Sequence, residues 1–145
     1  MKLRAARPED AGRIAGISLA ALGYASPAED TRRRLIRVTQ DPRHFIRVAE
    51  DEAGRAIGYI HACDYETLFA DPLKYVMALA VDPGYQGKGV GRALLTACEE
   101  WARATGAAGV RLSSGSDRLG AHAFYQRMGY QVRKEQKSIW KVFQR

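Results

Sequence analysis

Residues 75–92 read YVMALAVDPGYQGKGVGR. The run up to Val81 is almost continuously apolar and has the length of a strand, which is typical of a β-strand covered on both faces. Asp82-Pro83-Gly84 ends that strand, and the helical spacing of the apolar residues after Val90 predicts an amphipathic helix that ends near Gly106. The stretch therefore predicts a buried strand, a glycine-rich loop and a helix, in that order.

The sequence on either side of this unit also alternates between strand and helix patterns. Asp51-Glu52-Ala53-Gly54 lies between two β-branched runs and predicts a β-hairpin. The expected strands are Leu3–Ala6, Phe45–Ala49, Ala56–Ala62, Tyr75–Val81, Gly109–Leu112, Tyr130–Arg133 and Ser138–Phe143, and the expected helices are Pro8–Leu22, a second one that ends near Gln40, Val90–Gly106 and Asp117–Met128. We expect one α/β domain over residues 1–145, with about four helices on a mixed sheet of about six to seven strands and Tyr75–Val81 as the central strand.

The loop between the predicted strand and helix has the chemistry of an anion site. A helix start leaves backbone N–H groups without intrahelical partners and carries the positive end of the helix dipole. Glycines admit close approach to those N–H groups, and Lys88 and Arg92 add formal positive charge, which suits a pyrophosphate. The spacing matches neither the Walker P-loop nor the dinucleotide fingerprint, and a glycine cluster alone can also simply make a tight connection.

Two motifs make the prediction more specific. The order Gln-x-x-Gly-x-Gly, after Val-Asp-Pro and before Arg-Ala-Leu-Leu, resembles the acetyl-CoA-binding motif of the GNAT superfamily of N-acetyltransferases, and residues 121–130 resemble its second hallmark, Ala-x-x-Phe-Tyr followed by Gly-Tyr. With Arg-Ala-Ala-Arg-Pro-Glu-Asp at residues 4–10, the resemblance covers essentially the whole chain. It implies a GNAT-type acyl-CoA N-acyltransferase fold with a splayed central strand pair. It also implies an acetyltransferase that moves the acetyl group of acetyl-CoA to a primary amine by direct transfer in a ternary complex.

The resemblance implies roles for individual residues by motif position. The pyrophosphate would bind Gln86, Gly87, Lys88, Gly89, Val90, Gly91 and Arg92, and the pantetheine arm would pair with the backbone of Leu79, Ala80 and Val81 as an added strand. A backbone N–H near Leu79 or Ala80 would stabilise the oxyanion.

Tyr125 is the implied general acid for the departing CoA thiolate. Its hydroxyl, with an ordinary pKa of about 10, is matched to a thiolate whose conjugate acid has a pKa of about 8.5. A core role with a bonded hydroxyl is the structural alternative for Tyr125. Phe124 is interpreted as core, and His122 as structural or, less favourably, as a proton shuttle.

The general base is left open. Many relatives carry a glutamate in the strand before the loop, whereas Tyr75–Val81 contains no acid. Asp64, Glu66 and His61 are candidates, although a solvated strand end is the favoured interpretation of each, and an ordered chain of water can replace a base. Relatives also often have an asparagine near Gly115 that contacts the cofactor, so no such side-chain contact is expected here.

The chain is strongly basic, with a net charge of +7 and a pI of about 9.7. Such a charge suits nucleic acid, an acidic partner or an anionic nucleotide cofactor. The arginine run at residues 32–37 follows a helical pattern and is interpreted as a solvated helix face without a nucleic-acid reading motif. Two alternatives to an enzyme stay open: a non-catalytic acyl-CoA-binding regulator on the same fold, and a nucleic-acid binder.

The expected setting is a cytoplasmic one without nucleic acid or membrane, because no apolar run reaches about 18 residues and the start lacks a signal-peptide core. No metal is expected, since Cys63 and Cys98 lack ligand spacing. The resemblance allows a homodimer with no assigned interface.

The acceptor is expected to be a small-molecule amine or a peptide, meaning a protein lysine or N-terminus. The chain's ending resembles that of aminoalkylphosphonate and aminoglycoside acetyltransferases, and the net charge of +7 favours an amine that carries an acid or phosphonate over a polycationic aminoglycoside.

Overall fold

The computed structural model describes residues 1–144. Two compact units follow each other along the chain, residues 1–113 and the residues from Ser114 onward, and each is described by itself. The single domain expected for residues 1–145 stays a prediction. Within residues 1–144, every helix is too short or too polar to cross a membrane.

The first unit is a mixed sheet of five strands that carries three helices. The strands β1 to β5 lie in sequence order across the sheet: β1 is Lys2–Ala5, β2 is His44–Glu50, β3 is Ala56–Tyr65, β4 is Leu73–Val81 and β5 is Val110–Leu112. The helices are α1 (Ala11–Leu22), α2 (Ala28–Thr39) and α3 (Val90–Ala104). Strands β1 to β4 are antiparallel, and β4 and β5 are parallel. The α/β class, the hairpin and the order of strand, loop and helix are confirmed, but β3 rather than β4 is the central strand.

Helices cover both faces of the sheet. On one face, here called the α1 face, Ile14 and Ile17 of α1 pack with Ile46, Val48 and Tyr59 of the sheet. On the other, the α3 face, the ring of Phe45 stacks on Trp101 of α3 at 4.9 Å between centroids. Because side chains alternate along a strand, neighbours such as Phe45 and Ile46 serve opposite faces. This two-sided burial explains why the strands read as apolar runs.

The N-terminal strand is fixed by a charged network. The guanidinium of Arg4 donates two hydrogen bonds of 2.8 Å to the carboxylate of Asp10 and a third to Glu50. Burial would raise the pKa of Asp10, but the bonds from Arg4 and from the backbone N–H of Arg7 lower it below its ordinary value. The network joins β1 to β2 and to the start of α1.

The second unit contains one helix, α4 (Leu119–Arg127). The prediction of a terminal strand pair at Tyr130–Arg133 and Ser138–Phe143 is wrong, since residues 130–144 contain no strand. The alternating pattern there favours an extended chain, but a strand also needs a hydrogen-bonded neighbour and a buried face. Ile139 and Trp140 are 90% and 81% exposed, so no such face forms. The sheet accordingly has five strands instead of the expected six to seven.

Candidate active site

Strand β4 carries a bulge near its middle. Its pairing with β3 runs from His61 opposite Ala78 to Ala62 opposite Val76, so Met77 is an extra residue without a partner. A bulge of this kind bends a strand and increases its local twist. The bulge divides β4 into a first part that pairs on both sides and a second part that does not.

The second part of β4 has an open edge. The parallel ladder with β5 ends where Val76 lies opposite Leu112, although β4 continues to Val81. Within residues 1–144, residues 78–81, which include Leu79, Ala80 and Val81, therefore pair with β3 alone, and the bulge residue Met77 pairs with neither neighbour. Backbone N–H and C=O groups along this edge lack a neighbouring strand, and an extended ligand can pair with such an edge.

The loop after β4 presents backbone N–H groups at the start of α3. Gly87 and Gly89 have φ angles of +78° and +83°, a region that favours glycine. The first backbone bond of the helix runs from the N–H of Ala93 to the carbonyl of Gly89, and within residues 1–144 the N–H groups of residues 87–92 donate no hydrogen bond. A Cβ at Gly87 or Gly89 would have no atom within 4 Å, so the surface above the loop is open. This arrangement fits a pyrophosphate.

The side chains of the loop divide between surface and core. Gln86, Lys88 and Arg92 are exposed, whereas Val90 is 3% exposed and packs toward Gly58 of β3. Val90 can therefore contact a bound anion only through its backbone N–H. Beside the loop, an open depression of about 390 Å³ is lined by residues that include Gly89, Arg92 and Glu100.

The loop is anchored to α1 by an ion pair. The carboxylate of Asp82 accepts a hydrogen bond of 2.6 Å from a guanidinium nitrogen of Arg13 and one of 2.9 Å from the N–H of Gly84. The hydrogen bond from Arg13 and then the bond from Gly84 lower the pKa of Asp82. Arg13 also donates to the carbonyl of Ala56 at the start of β3. Asp82 and Arg13 thus fix the point at which the chain leaves β4.

Two histidines lie near the bulge on the α1 face. Nδ1 of His44 on β2 and Nε2 of His61 on β3 are 2.8 Å apart, and both side chains are half-buried. His61 is directly opposite Ala78, the residue after the bulge. Burial and the neighbouring His44 lower the pKa of His61 from 6.5 to about 4, so this imidazole is neutral at neutral pH.

The two acidic candidates for a base lie elsewhere. Asp64 accepts a hydrogen bond of 2.5 Å from the ammonium of Lys74. This ammonium lies 4.0 Å from the centre of the Trp101 ring on the α3 face. Glu66 is exposed just after β3. With Lys74 and Trp101 they line a cavity of about 210 Å³ at the start of β4, away from the bulge. Of the three residues that the sequence offered as a general base, only His61 lies next to the bulge. It shares the α1 face with its hydrogen-bond partner His44.

Tyr125 and His122 belong to the second unit. The Tyr125 ring contacts the rings of Phe124 and Tyr130 edge-on, at 5.2 and 5.9 Å between centroids. Its hydroxyl has no hydrogen-bond partner among residues 114–144, and burial raises its pKa, so the hydroxyl keeps its proton at neutral pH. Nε2 of His122 lies 2.8 Å from the carbonyl of Gly115, which gives His122 a local structural bond.

The structure thus brings the predicted cofactor residues of β4 and the loop together in one unit and adds one residue that the sequence did not suggest, His44. A register for the hairpin would have revealed His44, because it sets which residues of β2 and β3 are neighbours. Within residues 1–144, histidine, cysteine and acidic side chains form no group of three or more that could hold a metal ion.

Comparison with known proteins identifies the family of the chain. The sequence model of the acetyltransferase (GNAT) family matches residues 14–130. A mycothiol acetyltransferase of Propionibacterium freudenreichii subsp. shermanii is 35% identical over 87% of this chain, which spans only 41% of that protein. An aminoglycoside N(6')-acetyltransferase type 1 of Stenotrophomonas maltophilia is 29% identical over 89% of this chain and 85% of its own length.

A solved structure shows the same fold. AAC(6')-Iy in complex with the bisubstrate analog CoA-S-monomethyl-acetylneamine has a TM-score of 0.82, with 16% identity and 98% of each chain covered. The match of the family model to most of the sequence, the shared fold and the bulged strand before a glycine loop agree with each other. The chain belongs to the acetyltransferase (GNAT) family of N-acetyltransferases.

Proposed function

We propose that this chain is an acetyl-CoA-dependent N-acetyltransferase. It moves the acetyl group directly to a primary amine of a small molecule, or of a protein lysine or N-terminus, while both substrates are bound. The observation that carries the proposal is the continuity of the open β4 edge at residues 77–81 with the free N–H groups of residues 87–92. One extended ligand with a pyrophosphate at one end fits both features, as acetyl-CoA does.

The residues of the loop and of β4 bind the donor in this proposal. The N–H groups of residues 87–92, with the exposed charges of Lys88 and Arg92, bind the pyrophosphate. The backbone of Leu79, Ala80 and Val81 pairs with the pantetheine arm. A backbone N–H near Leu79 or Ala80 stabilises the negative oxygen that forms during acyl transfer. The fold neighbour AAC(6')-Iy was solved with a CoA bisubstrate analog, which supports this donor.

The reaction needs one proton acceptor and one proton donor. The amine nitrogen bonds to the acetyl carbon, the bond from that carbon to sulfur breaks, and the nitrogen loses a proton. The His61–His44 pair passes this proton on to solvent, because two hydrogen-bonded neutral imidazoles present one free lone pair at an outer nitrogen, while the low pKa of His61 keeps the proton from staying on its ring. Tyr125 gives a proton to the departing thiolate, and its own proton is then replaced from solvent.

A regulator that binds acyl-CoA without catalysis is the second candidate. The absence of an acid from Tyr75–Val81 favours it, since many relatives have one there. The neutral His61 opposite the bulge weighs against it by offering another base. The experiment below separates the two functions.

The test measures thiol release from acetyl-CoA with amino acids, aminophosphonates, polyamines, aminoglycosides and lysine peptides. We expect at least one class to drive release, and we expect Tyr125→Phe to lose most of the rate while acetyl-CoA still raises Tm as in the wild type. If acetyl-CoA raises Tm but no amine drives release, the regulator replaces the enzyme. If acetyl-CoA leaves Tm unchanged, both proposals fail.

The assembly and setting belong to the same proposal. We expect the chain to act in the cytoplasm, with a homodimer as the candidate assembly. Light scattering after size-exclusion chromatography measures the mass against the 16.1 kDa of one chain. A mass of one chain at micromolar concentration would contradict the dimer and leave the chemistry unaffected.

A further inference from the structure

Arg111 lies on the α1 face beside the β4 bulge. It is the middle residue of β5 and lies opposite Tyr75 in the parallel ladder. The bulge residue Met77 is two positions further along β4, which corresponds to about 7 Å at the usual rise of a strand. The side chain of Arg111 is half-buried. The backbone of Arg111 therefore lies close to the place where β4 and β5 separate, and its guanidinium lies over the rings of Tyr65 and Tyr75.

Two tyrosines hold the Arg111 guanidinium in one orientation. Nη1 donates a hydrogen bond of 3.1 Å to the hydroxyl of Tyr65. The guanidinium carbon lies 4.7 Å from the centre of the Tyr65 ring and 5.4 Å from that of Tyr75, and the two rings stack at 5.8 Å. Contacts of a cation with aromatic faces are attractive. They use the face and one corner of the guanidinium and leave one edge of it unused.

The unused edge is the one formed by Nε and Nη2. Nε of Arg111 is buried and has no hydrogen-bond partner among residues 1–144. Within residues 1–144, no carboxylate lies within 4.0 Å of this guanidinium, although Arg4 pairs with Asp10 and Arg13 with Asp82. A buried N–H without an acceptor is unfavourable. Nε and Nη2 together match the two oxygens of an oxyanion.

We propose that Arg111 binds an acidic group of the acceptor amine, a carboxylate or a phosphonate, through Nε and Nη2. The inference rests on the proposed function, because it assumes that the acetyl group is delivered at the β4 bulge. Tyr75, which lies opposite Arg111, is about 7 Å along β4 from the bulge residue Met77, and this spacing favours an amine that a short aliphatic chain separates from its acid. A polycationic acceptor would be repelled by Arg111, which has no acidic neighbour within 4.0 Å in the described part of the chain.

Calorimetry on the protein saturated with CoA tests the inference without requiring turnover. The probes are β-alanine and 3-aminopropylphosphonate, which carry an acid, and β-alaninamide, which has the length of β-alanine but no acid. We expect the acidic amines to bind about 10- to 100-fold more tightly than β-alaninamide, in the range of a charge-assisted bidentate bond. Arg111→Gln should remove this preference, and Arg111→Lys, which keeps the charge but not the planar edge, should restore only part of it.

Arg103→Gln is the matched control, because Arg103 is exposed in the last turn of α3 and its loss changes the net charge equally. It should keep the full preference, and a CoA-dependent rise in Tm shows that each variant is folded. Equal binding of β-alanine and β-alaninamide to the wild type would overturn the inference, as would a preference that survives in Arg111→Gln. If the preference depends on Arg111 but no amine drives thiol release, the proposed enzyme fails and the assignment of Arg111 stands.

Discussion

Nδ1 of His44 and Nε2 of His61 lie 2.8 Å apart on neighbouring strands of the sheet. Within residues 1–144, no carboxylate forms a hydrogen bond with either ring. Each imidazole is therefore the hydrogen-bond partner of the other. The pair is half-buried on the α1 face, next to the β4 bulge. Burial there disfavours a charged imidazole, and this has consequences for stability and for rate.

Stability should fall in acid because of His61. Burial and His44 lower the pKa of His61 in the folded protein from 6.5 to about 4, so between these pH values the unfolded chain binds more protons than the folded one. The free energy of unfolding therefore rises with pH in this window, and the contribution of His61 is complete above about pH 6.5 and lost toward pH 4, by at most about 3 kcal/mol. Urea unfolding at pH 7.5, 6, 5 and 4.5 measures this.

His61→Gln is the comparison variant, since it removes the titrating group and keeps a polar side chain. We expect its stability to depend less on pH between 6.5 and 4.5 than that of the wild type. Parallel curves for the two proteins would show that His61 titrates normally.

The rate of acetyl transfer should also depend on His61. Glutamine at this position cannot accept the amine proton, so His61→Gln should lower kcat by about 100-fold or more, within the usual range for general base catalysis. The affinity for acetyl-CoA should be unchanged, because the open edge and the loop do not involve this side chain. Thiol release and calorimetry measure the two quantities. A normal kcat would assign the proton to water or to another group.

Gly89→Ala should weaken acetyl-CoA binding. Gly89 has a φ of +83° at the start of α3, where a side chain strains the backbone by roughly 1–2 kcal/mol. Relief of that strain would turn the N–H groups of the loop away from the pyrophosphate. We expect a loss of about 1 kcal/mol in the free energy of unfolding and at least a 10-fold rise in Kd, measured by urea unfolding and calorimetry.

Gly16→Ala is the matched control for Gly89→Ala. Gly16 lies in the interior of α1, and a Cβ there would have no atom within 4 Å. Alanine is favoured over glycine in a helix, so this variant should gain about 0.5–1 kcal/mol and bind acetyl-CoA normally. Equal effects of the two substitutions on Kd would remove the case for the loop as the binding site.

The sequence predicts most of the first unit because its signals are local. The apolar run Tyr75–Val81, the turn residues Asp82-Pro83-Gly84 and the helical spacing after Val90 each report on the conformation of their own segment. Those elements lie where they were expected. The strand pair at residues 130–143 has the same kind of local pattern but is absent, because pairing depends on neighbours that the pattern does not specify.

The candidate site is predicted less completely for a related reason. The loop and β4 residues follow from a contiguous motif, whereas the pairing of His44 with His61 depends on the register of a hairpin. That hairpin has an irregularity between Ala49 and Glu50, which shifts which residues lie opposite each other. A one-residue shift reverses the face of every side chain. The neighbours of Arg111 likewise depend on where β5 pairs with β4, and no segment alone contains that information.

Arg4→Met should destabilise the protein strongly at neutral pH. The Arg4 side chain is 13% exposed and pairs with both Asp10 and Glu50, so its removal leaves two carboxylates with little solvent and no ion-pair partner within 4.0 Å among residues 1–144. Breaking a buried pair in this way costs about 3–5 kcal/mol. Arg33→Met is the control, because Arg33 pairs with Asp30 on the surface with 68% of its side chain exposed, and it should cost less than about 1 kcal/mol. Similar losses in urea unfolding would mean that the network at β1 contributes no more than a surface pair.

Gly58→Ala should disturb the contact between the sheet and the start of α3. A Cβ at Gly58 would lie 3.0 Å from Cγ1 of Val90, 3.1 Å from the carbonyl oxygen of Ala80 and 3.3 Å from Cδ1 of Leu94. The carbonyl belongs to the backbone of β4 and cannot move alone, whereas the contacts with Val90 and Leu94 are relieved when the start of α3 shifts. Overpacking of this kind costs about 1–3 kcal/mol. The shift also moves the first turn of α3 and should raise Kd for acetyl-CoA, because the N–H groups of that turn bind the pyrophosphate in the proposed site.

The double variant Gly58→Ala with Val90→Ala tests whether this contact is the cause. Val90→Ala alone removes two buried methyl groups and should itself be destabilising. When alanine is already at position 58, Val90→Ala also removes the 3.0 Å contact with the new Cβ. The double variant should therefore lose less free energy of unfolding than the sum of the losses of the two single variants. Simple additivity would assign the effect of Gly58→Ala to the carbonyl of Ala80. An unchanged Kd in a destabilised Gly58→Ala variant would show that the first turn of α3 keeps its position independently of this packing.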